Sequence, residues 1–216
     1  MKFLRISWLQ LRKRKKIEVL VKRKVLVVAA VLSALVLSSC SQVNSAAKVG
    51  KIDITTNQVQ NSVNQIIKER EGFDTSQSNL PTGENLNLSV LQFHLYSALF
   101  EEIAKKTKLP ITDGEVAKER AAIVARLGSE DSLPAALVNA AIAKEDFSKY
   151  LRTVVIAAKL RAALSQASGA QAGDAELQKL LISAGKSEGV KVNPRYGTWN
   201  YETGMVDKAS ANPAIK

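Results

Sequence analysis

Few residues of this chain can do chemistry. It has one cysteine, Cys40, and one histidine, His94. A single thiol and a single imidazole cannot assemble a zinc finger, a His/Cys metal cluster or an internal disulfide. No metal site and no cofactor are expected, and no residue is assigned a catalytic role. Glu101-Glu102 and Glu130-Asp131 are carboxylate pairs of the type that general acid–base chemistry uses. Adjacent residues on a helix or turn diverge, however, so both pairs read as solvated charge. On a helical projection starting at Leu88, His94 falls near Glu101 and Lys105, away from the leucine stripe. It reads as a surface histidine. No Gly-x-Ser-x-Gly or Ser-x-x-Lys lies near a credible base, so neither pattern supports a hydrolase. No Gly-x-x-x-x-Gly-Lys loop stands ready for a phosphate.

The charge is distributed unevenly. The chain carries 31 Lys plus Arg against 20 Asp plus Glu, a net +11. Residues 1–24 hold ten of the basic residues and one acid, leaving only +2 on the rest. A nucleic-acid domain would carry its basic excess on the folded body, so no nucleic-acid partner is expected. Aromatic residues make up 5% of the chain, which points to a helical core built on Ala, Leu and Val.

Thirteen almost wholly apolar residues follow the basic stretch, from Val25 to Leu37. A helix of that length reaches roughly 20 Å, short of the roughly 30 Å hydrocarbon core of a bilayer. A basic flank, a short apolar run and small residues form the pattern of a secretory signal peptide. The junction Leu37-Ser38-Ser39-Cys40 resembles the bacterial lipobox, with Ser39 where Gly or Ala is commonest. That resemblance implies cleavage between Ser39 and Cys40 and a diacylglycerol thioether on Cys40. Each buried acyl methylene contributes about 0.8 kcal/mol, so two long chains hold a protein durably on a membrane. The expected organisation is a lipoprotein signal peptide over 1–39, a lipidated tether over 40–47, a domain over 48–201 and a polar tail over 202–216. The expected location is the extracytoplasmic face of the cell membrane. Val21-Lys22-Arg23-Lys24 is also an ordinary signal-peptide start if translation begins at Val21 on a non-AUG codon.

The domain reads as a short strand, about five helices and a closing strand. Val49 to Ile54 is the first strand. Thr55 and Gln58 have capping-box spacing, and a helix follows to about Glu71 with Val59, Val63, Ile66 and Ile67 on one face. Turn formers fill 72–86. The strongest helix spans about 87–108, with Leu88, Leu91, Leu95, Leu99 and Ile103 spaced by three and four. Thr112-Asp113-Gly114-Glu115 is a second capping box, and Gly128 is a helix-stop signal. A short helix is predicted at 132–142 and a long one from Lys144 to about Gln166. Phe147, Tyr150, Leu151, Val154, Ala158 and Ala162 share one face of the long helix. Ile156 and Leu160 fall opposite, to meet a second helix, a partner or solvent. They are the residues chosen as candidate client contacts. A joint at 168–173 precedes a last helix of about a dozen residues. Val190 to Trp199 then reads as an edge strand, because Pro194 cannot donate to a ladder. A lone strand leaves backbone groups unpaired, so the first and last strands are expected to pair. Tyr196 and Trp199 are expected to pack that strand onto the helices, and the tail beyond Tyr201 to fray.

Val192-Asn193-Pro194-Arg195-Tyr196-Gly197-Thr198-Trp199 resembles the closing strand of the SurA/PrsA family of extracytoplasmic foldases. Ile111-Thr112-Asp113-Gly114-Glu115-Val116 is similar to a helix-start pattern of the same family. The resemblance extends over about 47–201, and the lipobox matches the lipoprotein members. It implies a mainly α fold, a SurA N-terminal-like helical domain with its first and last short strands paired. It also implies a membrane-tethered, ATP-independent chaperone that binds unfolded or newly exported polypeptides. Many members insert a parvulin prolyl isomerase of roughly a hundred residues before the last helix. Only about ten residues stand at the matching place here, and the paired histidines of that site have no counterpart. The chain is therefore expected to be a binding protein and not an enzyme. A prolyl isomerase, or a component of one, and a scaffolding lipoprotein are the alternatives.

Overall fold

The computed structural model describes residues 44–169 and 172–209. The signal peptide, the cleavage junction at Ser39 and the lipidation site at Cys40 lie outside the described residues. Two strands open the domain, β1 (Ser45–Val49) and β2 (Ile52–Thr55). They form an antiparallel hairpin in which Val49 faces Ile52 and Ala47 faces Ile54. Gly50 makes the reversal in the left-handed region at φ +57°, which a residue with a Cβ adopts reluctantly. Its N–H is held by Glu188 O at 3.1 Å. The sequence reading placed one strand here. The hairpin replaces it, and Ser45 to Ala47, read as tether, are buried strand residues.

Six helices follow among the described residues: α1 (Thr56–Arg70), α2 (Gly83–Lys106), α3 (Asp113–Leu127), α4 (Leu133–Ala140), α5 (Phe147–Ser168) and α6 (Gly173–Glu188). Thr55 Oγ1 caps α1 by accepting from Gln58 N at 3.1 Å, while the Gln58 side chain turns inward instead of closing the box. The α3 box is complete: Glu115 N donates to Thr112 Oγ1 at 3.2 Å and Thr112 N to Glu115 Oε2 at 2.8 Å. Gly128 ends α3 at φ +85°. Thr112→Ala is expected to cost about 1 kcal/mol of stability, read as a lowered urea midpoint with unchanged slope.

The closing segment divides in two. β3 (Lys191–Val192) pairs antiparallel with β1 through Ala47↔Val192 and Lys48↔Lys191, giving the sheet order β2-β1-β3. The beginning and end of the domain therefore meet, as expected. Asn193 reinforces the junction, donating from N to Ala46 O at 2.8 Å and from Nδ2 to Ser45 O at 2.9 Å. Pro194 then sits in a turn closed by Tyr196 N to Asn193 O at 2.9 Å. Beyond it, β4 (Gly197–Asn200) pairs with β5 (Met205–Lys208) and not with β1. The expected frayed tail is thus structured through Lys208, and Gln92 holds it: Val206 N donates to Gln92 Oε1 at 2.8 Å.

The main core gathers α1, α2, the sheet, the second half of α5, α6 and the packed Tyr196 and Trp199. α2 lies at its centre, with Leu86, Leu91, Leu95 and Leu99 almost inaccessible. Gly185 on α6 admits the Trp199 indole, since a Cβ there would stand 3.1 Å from Nε1. A smaller cluster of Leu133, Leu137, Phe147 and Leu151 lies under α3, backed by Val116, Ile123 and Leu127. α3 fully buries none of its own residues. Lys159 on α5 pins it, donating to Pro110 O at 2.6 Å and to Glu115. That ammonium, with the Thr112 N–H, pulls the Glu115 carboxyl down to about 2.

Candidate functional site

The small cluster is underfilled. α4 reads Leu-Pro-Ala-Ala-Leu-Val-Asn-Ala, and two of its short side chains, Ala136 and Ala140, line a cleft. A cleft of about 270 Å³ opens between α3 and the α4–α5 pair, lined by Ile123, Leu127, Ala136, Ala140 and Tyr150. A larger cleft, of about 630 Å³, runs between Phe73 beyond α1, Pro134 on α4 and Ser148 on α5. Both clefts share Leu133, Leu137 and Phe147. The groove around α4 thus has an apolar floor. Its rim is charged: Arg120 is paired with Glu130, and Glu69 accepts from Lys144 N at 3.1 Å. Phe73 remains 38% exposed at the edge. A guest that buries two or three apolar side chains here gains about 1.5–3 kcal/mol for each, less the cost of ordering it. Contacts of that size favour weak, reversible capture of an extended segment with little sequence demand.

The second arrangement with chemical potential is polar and buried. His94 is only 2% exposed, which corrects its reading as a surface residue. α2 is covered on the side that the projection left free, by α1 and by the start of α5. Lys149 Nζ lies 3.2 Å and Gln58 Nε2 3.3 Å from His94 Nδ1. With those donors on Nδ1, the proton sits on Nε2, 3.1 Å from Ser62 Oγ. Ser62 in turn donates to Asp146 Oδ2 at 2.5 Å. Burial, with the Lys149 ammonium, lowers the imidazole to about 4, against an opposing pull from Asp146. Serine, histidine and aspartate meet here, but not as a hydrolytic triad. A triad needs the carboxylate on Nδ1 and the serine proton directed at the imidazole. Here the serine proton goes to the carboxylate, and Ser62 is itself only 2% exposed.

The other residues chosen from sequence are placed as follows. Ile156 is 0% and Leu160 6% exposed, both in the main core. Their selection as client contacts is corrected: α2 and α6 cover them. Ala158 and Ala162, which the projection put on one face with Phe147 and Leu151, are exposed. Glu101 pairs with Arg152 and Glu102 with Lys105, so these carboxylates diverge into separate ion pairs. Glu130 is likewise engaged, with Arg120. Arg195 is exposed. No cluster of three metal-ligating side chains occurs among the described residues. No helix among them is long and apolar enough to cross a membrane. The groove residues Phe73, Leu133 and Leu137 were missed. A lone aromatic in the turn-rich 72–86 stretch was the available signal for Phe73.

Residues 8–161 match the family described as SurA-like N-terminal domain. The match takes in both strands of the opening hairpin, helices α1 to α4 and most of α5. It therefore covers the whole groove. It stops before α6 and the closing segment, on which the resemblance read from sequence leaned most. No curated protein and no solved structure matches the chain.

Proposed function

The chain belongs to the SurA-like N-terminal domain family, and from that premise we propose that it is a membrane-tethered, ATP-independent chaperone whose groove around α4 holds apolar segments of unfolded or newly exported polypeptides. The family relation supports a chaperone-related role in folding and the binding of unfolded polypeptides in general. The observation that carries the finer reading is the pair of clefts meeting over Leu133, Leu137 and Phe147, with Phe73 exposed at their edge. Such a surface offers apolar area without a shape that selects one partner. In this reading the lipid on Cys40 keeps the groove beside polypeptides emerging at the membrane and raises their effective concentration. The chain acts by binding alone, and acceleration of prolyl isomerisation in a peptide assay would overturn that part.

The test is suppression of aggregation of a chemically denatured protein by the full chain in detergent. Phe73→Glu leaves the core untouched and places a charge on the groove edge. Loss of one apolar contact of about 1 kcal/mol corresponds to roughly fivefold weaker capture. Absence of any suppression by the unaltered chain, or unchanged suppression with Phe73→Glu, counts against the groove.

A further inference from the structure

The buried polar cluster lies directly behind the groove. α1 supplies Gln58 and Ser62, α2 supplies His94, and the turn that starts α5 supplies Asp146 and Lys149. That same turn carries Lys144, Phe147 and Ser148, which line the larger cleft. The hydrogen bonds close a ring: Lys149 to His94, His94 to Ser62, Ser62 to Asp146, and Lys149 Nζ back to Asp146 Oδ1 at 3.4 Å. The start of α5 is therefore tied to α1 directly, by Ser62 to Asp146 and by Lys144 N to Glu69 at 3.1 Å, and at this end to α2 through the imidazole.

We propose that this ring is a proton-released latch on the groove, closed while His94 is neutral and opened when it is protonated, so that acidification frees the Phe147 wall and lets a bound segment go. The inference rests on the groove being the polypeptide site. Protonation at Nδ1 removes the lone pair that both Lys149 and Gln58 address. It also leaves two cations 3.2 Å apart. The charged groups facing the imidazole are Lys149 and Asp146, both from the α5 end; α1 contributes only neutral Gln58 and Ser62. Asp146 Oδ2 lies 3.8 Å from His94 Nε2, farther than the ammonium lies from Nδ1, and offsets the repulsion only in part. Burial and Lys149 already set against the charged form, so opening needs clearly acidic conditions.

The experiment uses the full chain in detergent. Because the chain has one histidine, its imidazole resonance reports this site without ambiguity. Three quantities are followed from neutral pH to about 4: the His94 titration, amide protection, and binding of a fluorescent Leu/Phe-rich decapeptide. The latch predicts that protection over 145–151 falls at least about tenfold more than over 177–184, with peptide affinity falling in step. Lys149→Met removes the like charge, so the His94 midpoint rises toward 6.5 and the pH-dependent loss of protection shrinks. Equal loss of protection in both segments overturns the latch. So does a midpoint that Lys149→Met leaves unmoved, or a peptide affinity that ignores acid while 145–151 opens. Opening of 145–151 with no peptide binding even at neutral pH supports the latch and overturns the groove reading instead.

Discussion

Ile156→Ala is expected to lower the free energy of unfolding by about 2–5 kcal/mol, the usual cost of emptying a fully enclosed aliphatic site. Ile156 is 0% exposed and packs in the main core, where α5 meets α2 and α6. Little can collapse into the space, because the surrounding helices are held on several sides. Urea titration gives the difference directly, as a lower midpoint at unchanged slope. Ala158→Ser, two residues along on the exposed face, changes stability by no more than about 0.5 kcal/mol. Capture of denatured protein by Ile156→Ala, measured where the variant is still folded, stays as it was. A stable Ile156→Ala variant with impaired capture would return Ile156 to the surface role first given to it.

Stability is also expected to fall on mild acidification, by roughly 3 kcal/mol at most between pH 6.5 and about 4. The sign follows from where the proton binds more readily. The folded protein lowers His94 to about 4, while the unfolded chain titrates near 6.5. Between those values the unfolded chain takes up the proton and the folded one resists it. The contribution of neutral His94 is therefore complete above about 6.5, declines as pH drops, and stops changing below about 4. Glu115 behaves as a separate, more acidic limb: its depressed carboxyl supports the fold above about 4.5 and loses that role toward about 2. Thermal unfolding followed across the range separates the two. His94→Gln flattens the upper limb and leaves the lower one. Parallel curves for the two proteins from pH 6.5 to 4 would contradict the assignment.

Features written into short stretches were legible in the sequence. The α3 capping box, the Gly128 stop and the leucine ladder of α2 each depend on residues within a few positions of one another. The meeting of first and last strands was legible too, because a lone strand must find a partner. The α5 face was not. A helical projection ranks one face against the other, whereas α5 uses two: Phe147 and Leu151 turn to the small cluster, Ile156 and Leu160 to the main core. Nor could periodicity place His94, whose partners Ser62 and Lys149 lie 32 and 55 residues away. The groove escaped for a related reason. It is a gap where side chains of several elements meet, and a gap has no residue pattern of its own.

The contact between Ala47 and Val192 has a consequence for how the molecule is made. A chain delivered amino terminus first completes its β1–β2 hairpin early, covering one side of β1. The other side stays an open template until nearly the whole domain has arrived. Sealing it is a long-range event, slow by its topology and late by necessity. A product that breaks off before Val192 would carry a bare sheet edge, the feature most prone to join another chain or to invite disposal. The seam thus closes only once the chain has been made through Val192.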